Sequence, residues 1–430
     1  MMLEWLGNVF VALTLMGCAI MVAAVLTPLY QLRSHLALRP RGLAEEEQGL
    51  AHPLPPDDSL PHVVVQIPSF NEGALIERSI AAAARLDWPK GKLHIQVCDD
   101  STDQTTALAR AAAARARVEG IDVTVLHRGD RSDFKAGALR NAMAQTEHAY
   151  FAILDVDYVA PPDFLRRCMA VLLADRQLAF VQARVDFFNS GDNWLTRAQR
   201  IILDFHYGIE QATRSWGDQV LPFNGTCGIW RRTAIEAADG WSGATVAEDL
   251  DLSYRAWLKG WHGSYVTSVT VFGELPTRLR VWTSQQRRWA AGVGEVAFRM
   301  LPVLFRRQGS ERWGAIFPLA VWFGHVTFAA TILLAAIAMI LKPSMALLLG
   351  LTVYVVLLVA ATALLVAMRW ANRLLRPGTS FWRFYVDFIP VSYLLLYTSW
   401  ANFRSLPTTL LGRGRVFVRT PKTGVAAKSS

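Results

Sequence analysis

Residues 63–72 read Val-Val-Val-Gln-Ile-Pro-Ser-Phe-Asn-Glu, a short β-branched run that breaks off into polar, turn-forming residues. An alanine-rich helical stretch, Ala74–Leu86, follows at once. The pattern then repeats. β-rich runs at Leu93–Cys98, Val123–Leu126, Tyr150–Leu154 and Ala179–Gln182 alternate with helical stretches at Thr105–Val118, Gly137–Gln145 and Phe164–Ala174. Strand–helix alternation at this spacing predicts βαβ units and a mostly parallel sheet. Ligands of such sheets bind beyond the carboxyl ends of the strands, so the chemistry is expected there.

The flanks of this α/β region have a different character. The chain of 430 residues has room for more than one domain, is 52% hydrophobic and holds 15 Trp. Its net charge of +9 is compatible with nucleic acid, acidic lipid or an anionic substrate. Position decides between these. Arg33, Arg39 and Arg41 follow one apolar run, Arg306, Arg307 and Arg312 precede another, and Arg369, Arg373, Arg376 and Arg383 follow a third. This is a membrane-topology pattern, and no zinc or RNA-binding signature accompanies it, so nucleic acid is excluded as a partner. Cys18, Cys98, Cys168 and Cys227 show no paired spacing, which argues against a disulfide framework or a zinc site.

Residues 5–30 carry no charge and are long enough to cross a ~30 Å hydrocarbon core. Glu4 and the length of the run argue against a cleaved signal peptide. Residues 314–341 and 344–368 are two further spans, joined by Lys342-Pro343. Within residues 381–410, the stretch 384–403 is apolar and aromatic but interrupted by Asp387 and Pro390. An aspartate at bilayer depth costs ~2.5–3.5 kcal/mol, so an interfacial helix is expected there in place of a fourth span. With the basic flanks inside, residues 31–313 face the cytoplasm of a multi-pass protein of the cell inner (plasma) membrane. Residues 31–60 read as a polar, Pro-rich linker, 61–280 as the α/β domain and 281–312 as interfacial helices.

Three strand ends carry candidate chemistry: Ser69 to Glu72, Asp99-Asp100-Ser101, and Asp155-Val156-Asp157. Helix capping accounts for the first two equally well, and Ser101 to Gln104 has capping-box spacing. Capping does not readily account for Asp155 and Asp157, which precede Tyr-Val-Ala-Pro-Pro. On an extended segment their carboxylates would face one side and make a hard-oxygen site for Mg²⁺ or Mn²⁺ beside a diphosphate. Arg128, Arg131 and Lys135 supply cations nearby, either for an anion or as a solvated helix start. Thr283 to Gly292, with Gln285, Arg288 and Trp289, taken alone reads as an interfacial anchor.

The motifs Val-Val-Val-Gln-Ile-Pro-Ser-Phe-Asn-Glu, Val-Cys-Asp-Asp-Ser-Thr-Asp, Phe-Lys-Ala-Gly-Ala-Leu, Asp-Val-Asp, Phe-Asn-Gly-Thr, Ala-Glu-Asp and Gln-Gln-Arg-Arg-Trp occur in one order. That series resembles the family 2 glycosyltransferases of the cellulose synthase superfamily, in the manner of its cellulose-synthase-like glucan and mannan (glucomannan) synthases. The resemblance implies an α/β GT-A type fold, mostly parallel, with transmembrane and interfacial helices, that binds a nucleoside-diphosphate sugar. It implies that Asp100 and Lys135 bind the nucleotide and that Asp155 and Asp157 hold metal and diphosphate. Asp249 matches the catalytic base, which would accept the proton of an acceptor hydroxyl in a single inverting displacement. Thr245 to Glu248 has capping-box spacing too, so Glu248 is expected to cap while Asp249 stays free.

Phe223, Asn224, Gly225 and Thr226 match the segment that lines the acceptor terminus, though a simple β-turn would use the same residues. Trp241 suits stacking on a sugar or core packing. Gln285 and Arg288 match residues that face the donor diphosphate, and Trp289 matches the residue stacked at the acceptor sugar. In the tail, 411–430, Phe417, Thr420 and Lys422 match points of a gating loop, with Arg419 departing from the pattern.

The function so implied is a membrane-embedded inverting hexosyltransferase. Its donor is UDP-glucose or GDP-mannose, and its acceptor the end of a growing β-linked glucan or mannan. A glycolipid synthase adding one or a few sugars is the alternative. Three spans make a thin wall for a polymer, which would then call for a homo-oligomer or an accessory export subunit. A non-catalytic nucleotide-sugar sensor is the rival from another class.

Overall fold

The computed structural model describes residues 2–309 and 311–411. The described residues form two compact units, one built from Leu38–Asp192 and Gln211–Thr277, the other from residues 2–37, Asn193–Glu210, 278–309 and 311–411.

The first unit is built on a seven-stranded sheet: β1 Val63–Ser69, β2 Leu93–Asp99, β3 Asp122–His127, β4 Tyr150–Ile153, β5 Leu178–Phe187, β6 Gly228–Arg231 and β7 His262–Gly273. Their order across the sheet is β3-β2-β1-β4-β6-β5-β7. β1 pairs in parallel with β2 and β4, and β2 with β3. Val63, Val64, Val65, Ile67, Ile95, Val97, Phe151 and Ile153 are fully buried in these strands, each stabilising the fold by ~1.5–3 kcal/mol. The chain runs from β1 outward to β3 and then returns to the opposite side of β1 as β4. That reversal opens a crevice at the carboxyl ends of β1 and β4, the topological switch point of the sheet.

The expected parallel half is present, with helices at Leu75–Ala83, Thr105–Val118, Phe134–Met143 and Phe164–Ala174. The other half departs from it. β6, only four residues long, runs antiparallel to both β4 and β5, and β7 pairs in parallel with β5. A register irregularity falls at Ala183/Arg184, opposite Thr267 and Ser268. Glu46 fixes it: one carboxylate oxygen accepts from the Thr267 amide and hydroxyl at 3.0 and 2.8 Å, the other from those of Ser268 at 2.9 and 2.7 Å.

Glu46 lies in a stretch expected to be linker, and there the expectation fails. The first helix is continuous from Met2 to Leu50, through Pro40. Residues 43–48 are strong helix formers, and packing within the sheet's own unit holds them. Gly42 lies so close to the Trp216 indole that a Cβ would fall 2.2 Å from it.

In the helical unit, a single helix Leu279–Arg306 occupies most of the segment expected to hold several interfacial helices. Three helices, Met2–Leu50, Glu311–Leu341 and Pro343–Leu375, are long and apolar enough among the described residues to cross a membrane. The segment with Asp387 is one helix, Phe381–Leu411. Asp387 is 3% exposed, with Arg197 Nε at 2.7 Å, Arg383 Nε at 3.1 Å and Arg200 Nη2 at 3.9 Å. Removing a buried ion's partner costs about 3–5 kcal/mol. Asp387→Ala is therefore expected to lower the melting temperature of the detergent-purified protein markedly, and an unchanged melt would show that the cluster does not hold these helices.

Candidate active site

β4 ends at Ile153, and Asp155 to Tyr158 form a turn closed by the Tyr158 amide on the Asp155 carbonyl at 3.0 Å. The two aspartates therefore sit in a turn, not on an extended segment. Val159 bridges to Phe272 of β7 immediately afterwards, and that bridge forces the bend. The Asp155 amide donates to Thr226 Oγ1 at 2.9 Å, and the Asp157 side chain is buried. Lys135 Nζ donates to Asp155 Oδ1 at 2.7 Å and to the Gly225 carbonyl at 2.8 Å, with Glu248 Oε1 3.9 Å away. Burial opposes the charge on Lys135, but Asp155, Glu248 and Asp249 outweigh it, and its pKa is raised.

The Phe-Asn-Gly-Thr segment is held from three elements. The Phe223 amide donates to Ser253 Oγ at 2.9 Å, and that hydroxyl donates to the Asp249 carbonyl at 2.7 Å. Gln182 of β5, fully buried, spans the loop: its Oε1 accepts from the Asn224 amide at 3.0 Å and its Nε2 donates to the Thr226 carbonyl at 2.8 Å. Gln211 Nε2 donates to Asn224 Oδ1 at 2.8 Å. Gly225 has φ +75°, and a Cβ there would lie 2.8 Å from Asp249 Oδ2 and 3.4 Å from Lys135 Nζ.

Asp155, Lys135, Gly225, Thr226, Glu248 and Asp249 are thus brought together. Phe223 is not available to an acceptor. Its ring is 1% exposed and packs edge-on to Phe180 and Trp230 in the core, where Trp241 also lies.

Asp249 is the second residue of the helix Glu248–Leu258, half-buried, with Oδ1 accepting from the Leu250 amide at 2.8 Å. The expected capping box is absent. The N-cap is Ala247 with no side-chain cap, and Thr245 donates to the Ala247 carbonyl instead. Glu248 faces Lys135, a charge interaction that a capping geometry would forgo.

Ser101 likewise does not cap the helix that follows it. Its hydroxyl accepts from the Asn71 amide at 2.9 Å, and Asn71 Oδ1 accepts from the Thr102 amide at 2.8 Å, tying the ends of β1 and β2 together. Asp100 is gripped by both arms of the Arg128 guanidinium, at 2.7 and 2.6 Å, and this hydrogen-bonded pairing raises the Arg128 pKa. Asp99, fully buried, accepts from Thr106 Oγ1 at 2.6 Å and meets His127 Nδ1 at 2.8 Å. Arg131 stacks over the Phe70 ring at 3.3 Å. Gly137, in the Lys-Ala-Gly-Ala-Leu motif, has no room for a side chain, since a Cβ would fall 2.2 Å from the Ser132 carbonyl.

Gln285, Arg288 and Trp289 belong to the helical unit, on Leu279–Arg306. Their i, i+3, i+4 spacing puts them on one face, and Trp289 is 44% exposed. Phe417, Thr420 and Lys422 lie outside the described residues. Gln182, Gln211 and Ser253 were not singled out by the sequence reading. A polar Gln182 within the apolar run Phe-Val-Gln-Ala was the one available signal.

A mostly parallel sheet whose central strand ends in two aspartates, beside a lysine and a helix-borne carboxylate, defines a GT-A type glycosyltransferase domain. Residues 61–292 match the family described as glycosyltransferase like family 2, and the chain belongs to that family. Among its relatives, glucomannan 4-beta-mannosyltransferase 7 of Arabidopsis thaliana is 37% identical over 290 residues, covering 66% of this chain and 52% of that protein. The probable glucomannan 4-beta-mannosyltransferase 6 of Oryza sativa subsp. japonica is 43% identical over 238 residues, covering 54% and 42%. The chain spans about half the length of the curated relatives it matches. A solved structure titled mannosyltransferase PcManGT from Pyrobaculum calidifontis, in complex with GDP-Man and Mn2+, shares the fold at a TM-score of 0.56 and 18% identity, over 90% of this chain and 98% of that one.

Two substitutions test the loop. Gly225→Ala adds left-handed strain of about 1–2 kcal/mol and pushes a methyl toward Asp249, so glycosyl transfer should fall at least about tenfold with the fold retained by circular dichroism. Gln182→Met removes both loop hydrogen bonds at near-constant volume. The acceptor KM should rise and kcat fall, while donor affinity, read by calorimetry, stays unchanged.

Proposed function

We propose that the protein is an inverting glycosyltransferase that moves a hexose from a nucleoside-diphosphate sugar to the end of a growing β-linked glycan. The observation that carries this reading is Asp249 Oδ2 at the edge of Gly225, with Lys135 bonded to the same residue's carbonyl and to Asp155. Base and leaving-group cation thereby flank one short loop. Asp249 accepts the proton of the acceptor hydroxyl as its oxygen attacks the anomeric carbon. The nucleoside diphosphate leaves from the opposite face, so an α-linked donor yields a β-linkage. Lys135 stabilises the charge that develops on the departing diphosphate, which is why a second carboxylic acid to protonate it is not needed. By the family resemblance Gln285 and Arg288 are assigned to the donor diphosphate, a task that suits the planar fork of donors of Arg288, and Asn224, Thr226 and Trp289 to the acceptor sugar.

The donor set at the end of β4 fits a divalent cation. Asp155 and Asp157 offer hard carboxylate oxygens within one turn. No group of three or more metal-ligating side chains occurs among the described residues, so the remaining ligands would come from diphosphate and water. Bound there, Mg²⁺ or Mn²⁺ supplies charge neutralisation of the leaving group. That these relatives are named mannosyltransferases supports a mannosyl donor, GDP-mannose, over UDP-glucose. The apolar helices support action at a membrane, with the α/β unit on the cytoplasmic side of the inner (plasma) membrane and the growing chain leaving through or beside them. Three candidate spans favour a second reading, transfer of one or a few sugars to a lipid acceptor. A polymer product would call for a homo-oligomer or an export partner.

Asp249→Asn should lower transfer by about 10²–10⁴-fold and leave the affinity for GDP and GDP-mannose unchanged. Intact transfer in that variant, measured as nucleotide release in a screen of donors, would remove Asp249 from the role of base.

A further inference from the structure

Lys135 does more than wait for a phosphate. Its ammonium, 16% exposed, already lies 2.7 Å from Asp155 Oδ1 and 2.8 Å from the Gly225 carbonyl, with Glu248 at 3.9 Å. A cation therefore sits on one of the two carboxylates expected to receive metal. We infer that Lys135 is a resident counter-ion that makes divalent-metal binding conditional on nucleoside diphosphate. This rests on the glycosyltransferase reading of the same site.

The argument is electrostatic. A divalent ion approaching Asp155 alone meets a positive charge at hydrogen-bond distance from the ligand it needs, and like charges at that range disfavour each other. It must expel the ammonium from Asp155, its closest acidic partner, and a lysine left in this pocket keeps the weaker attraction of Glu248, 3.9 Å away, and of Asp249. A nucleoside diphosphate changes the balance. Its several negative charges offer Lys135 a replacement for Asp155, and they offer the metal further oxygen ligands. Metal and nucleotide then bind as a coupled pair, and by linkage each raises the affinity of the other by one and the same factor. The exchange also reaches the acceptor side. When Lys135 turns to the diphosphate it leaves the Gly225 carbonyl, and Gly225 is the residue beside Asp249.

The test is Mn²⁺ binding to the full-length protein in detergent, followed by electron paramagnetic resonance of free Mn²⁺, with and without saturating GDP or UDP. Formation of Mn²⁺–nucleotide in solution is subtracted. Wild type should bind Mn²⁺ weakly alone and at least about tenfold more tightly with nucleotide. Lys135→Met should bind Mn²⁺ alone about tenfold more tightly than wild type and lose the share of the coupling that Lys135 supplies, about tenfold, while direct ligation by the diphosphate keeps the rest. Lys135→Arg, which keeps the charge, should behave as wild type. Wild type that binds Mn²⁺ equally with and without nucleotide overturns the inference, whether or not the variants fold. So does a folded Lys135→Met with unchanged affinity for Mn²⁺ alone. Binding of GDP or UDP without metal coupling refutes the inference and leaves glycosyl transfer standing. Failure of both nucleotides to bind with Mn²⁺ present, read by calorimetry, refutes both.

Discussion

One ammonium group organises the site. Lys135 Nζ joins the end of β4 to the Phe-Asn-Gly-Thr loop by two short hydrogen bonds, and Glu248 brings the helix bearing Asp249 toward the same charge. Each of these pieces comes from a different part of the sheet. Asp155 follows a central strand, Lys135 starts a helix after the edge strand β3, and the loop leads into the antiparallel β6. Without a shared cation, Asp155 and Glu248 would repel each other, and partial burial of both carboxylates raises that cost. The lysine makes that convergence of acids stable before any ligand arrives.

The loop between these groups has little conformational freedom. Gln182 closes it from below with one amide donor and one amide acceptor, and Gly225 supplies the positive φ that brings its carbonyl to Lys135. A buried glutamine is worth its desolvation only when both ends of the amide are satisfied, and here both are. Ser253 then transmits the loop's position to the backbone of Asp249. Asp249 and the Phe-Asn-Gly-Thr loop are therefore set by the same few hydrogen bonds.

Much of the fold was legible because local pattern and global architecture agree. The first four strands of the sheet are apolar runs bounded by turn residues, and their parallel pairing follows from the helices between them. The second half was not legible for physical reasons. β6 is four residues long, too short for any periodicity, and its antiparallel direction is fixed by neighbours distant in sequence. Glu46 looks like solvated linker charge until Thr267 and Ser268 come to it from more than two hundred residues away. The family resemblance placed Asp155, Asp249 and Lys135 in one neighbourhood but misread Phe223, which packs into the core, and spacing misread the capping roles of Ser101 and Glu248. Short-range capping was overruled in both cases by charge and by contacts between loops. Asp387 shows the same limit. Read alone it is an expensive acid in an apolar helix, whereas two of its three arginine neighbours, Arg197 and Arg200, lie on one helix far away in sequence and only Arg383 is on its own.

The central claim is that this loop and its flanking charges carry out one inverting displacement. The most direct measurement is the anomeric configuration of the first sugar transferred from an α-linked GDP-mannose or UDP-glucose donor by the purified full-length protein, read by NMR of the isolated product. A β-linked product is the predicted result. An α-linked product would contradict the single-displacement role of Asp249, and the geometry around Gly225 would then need another explanation.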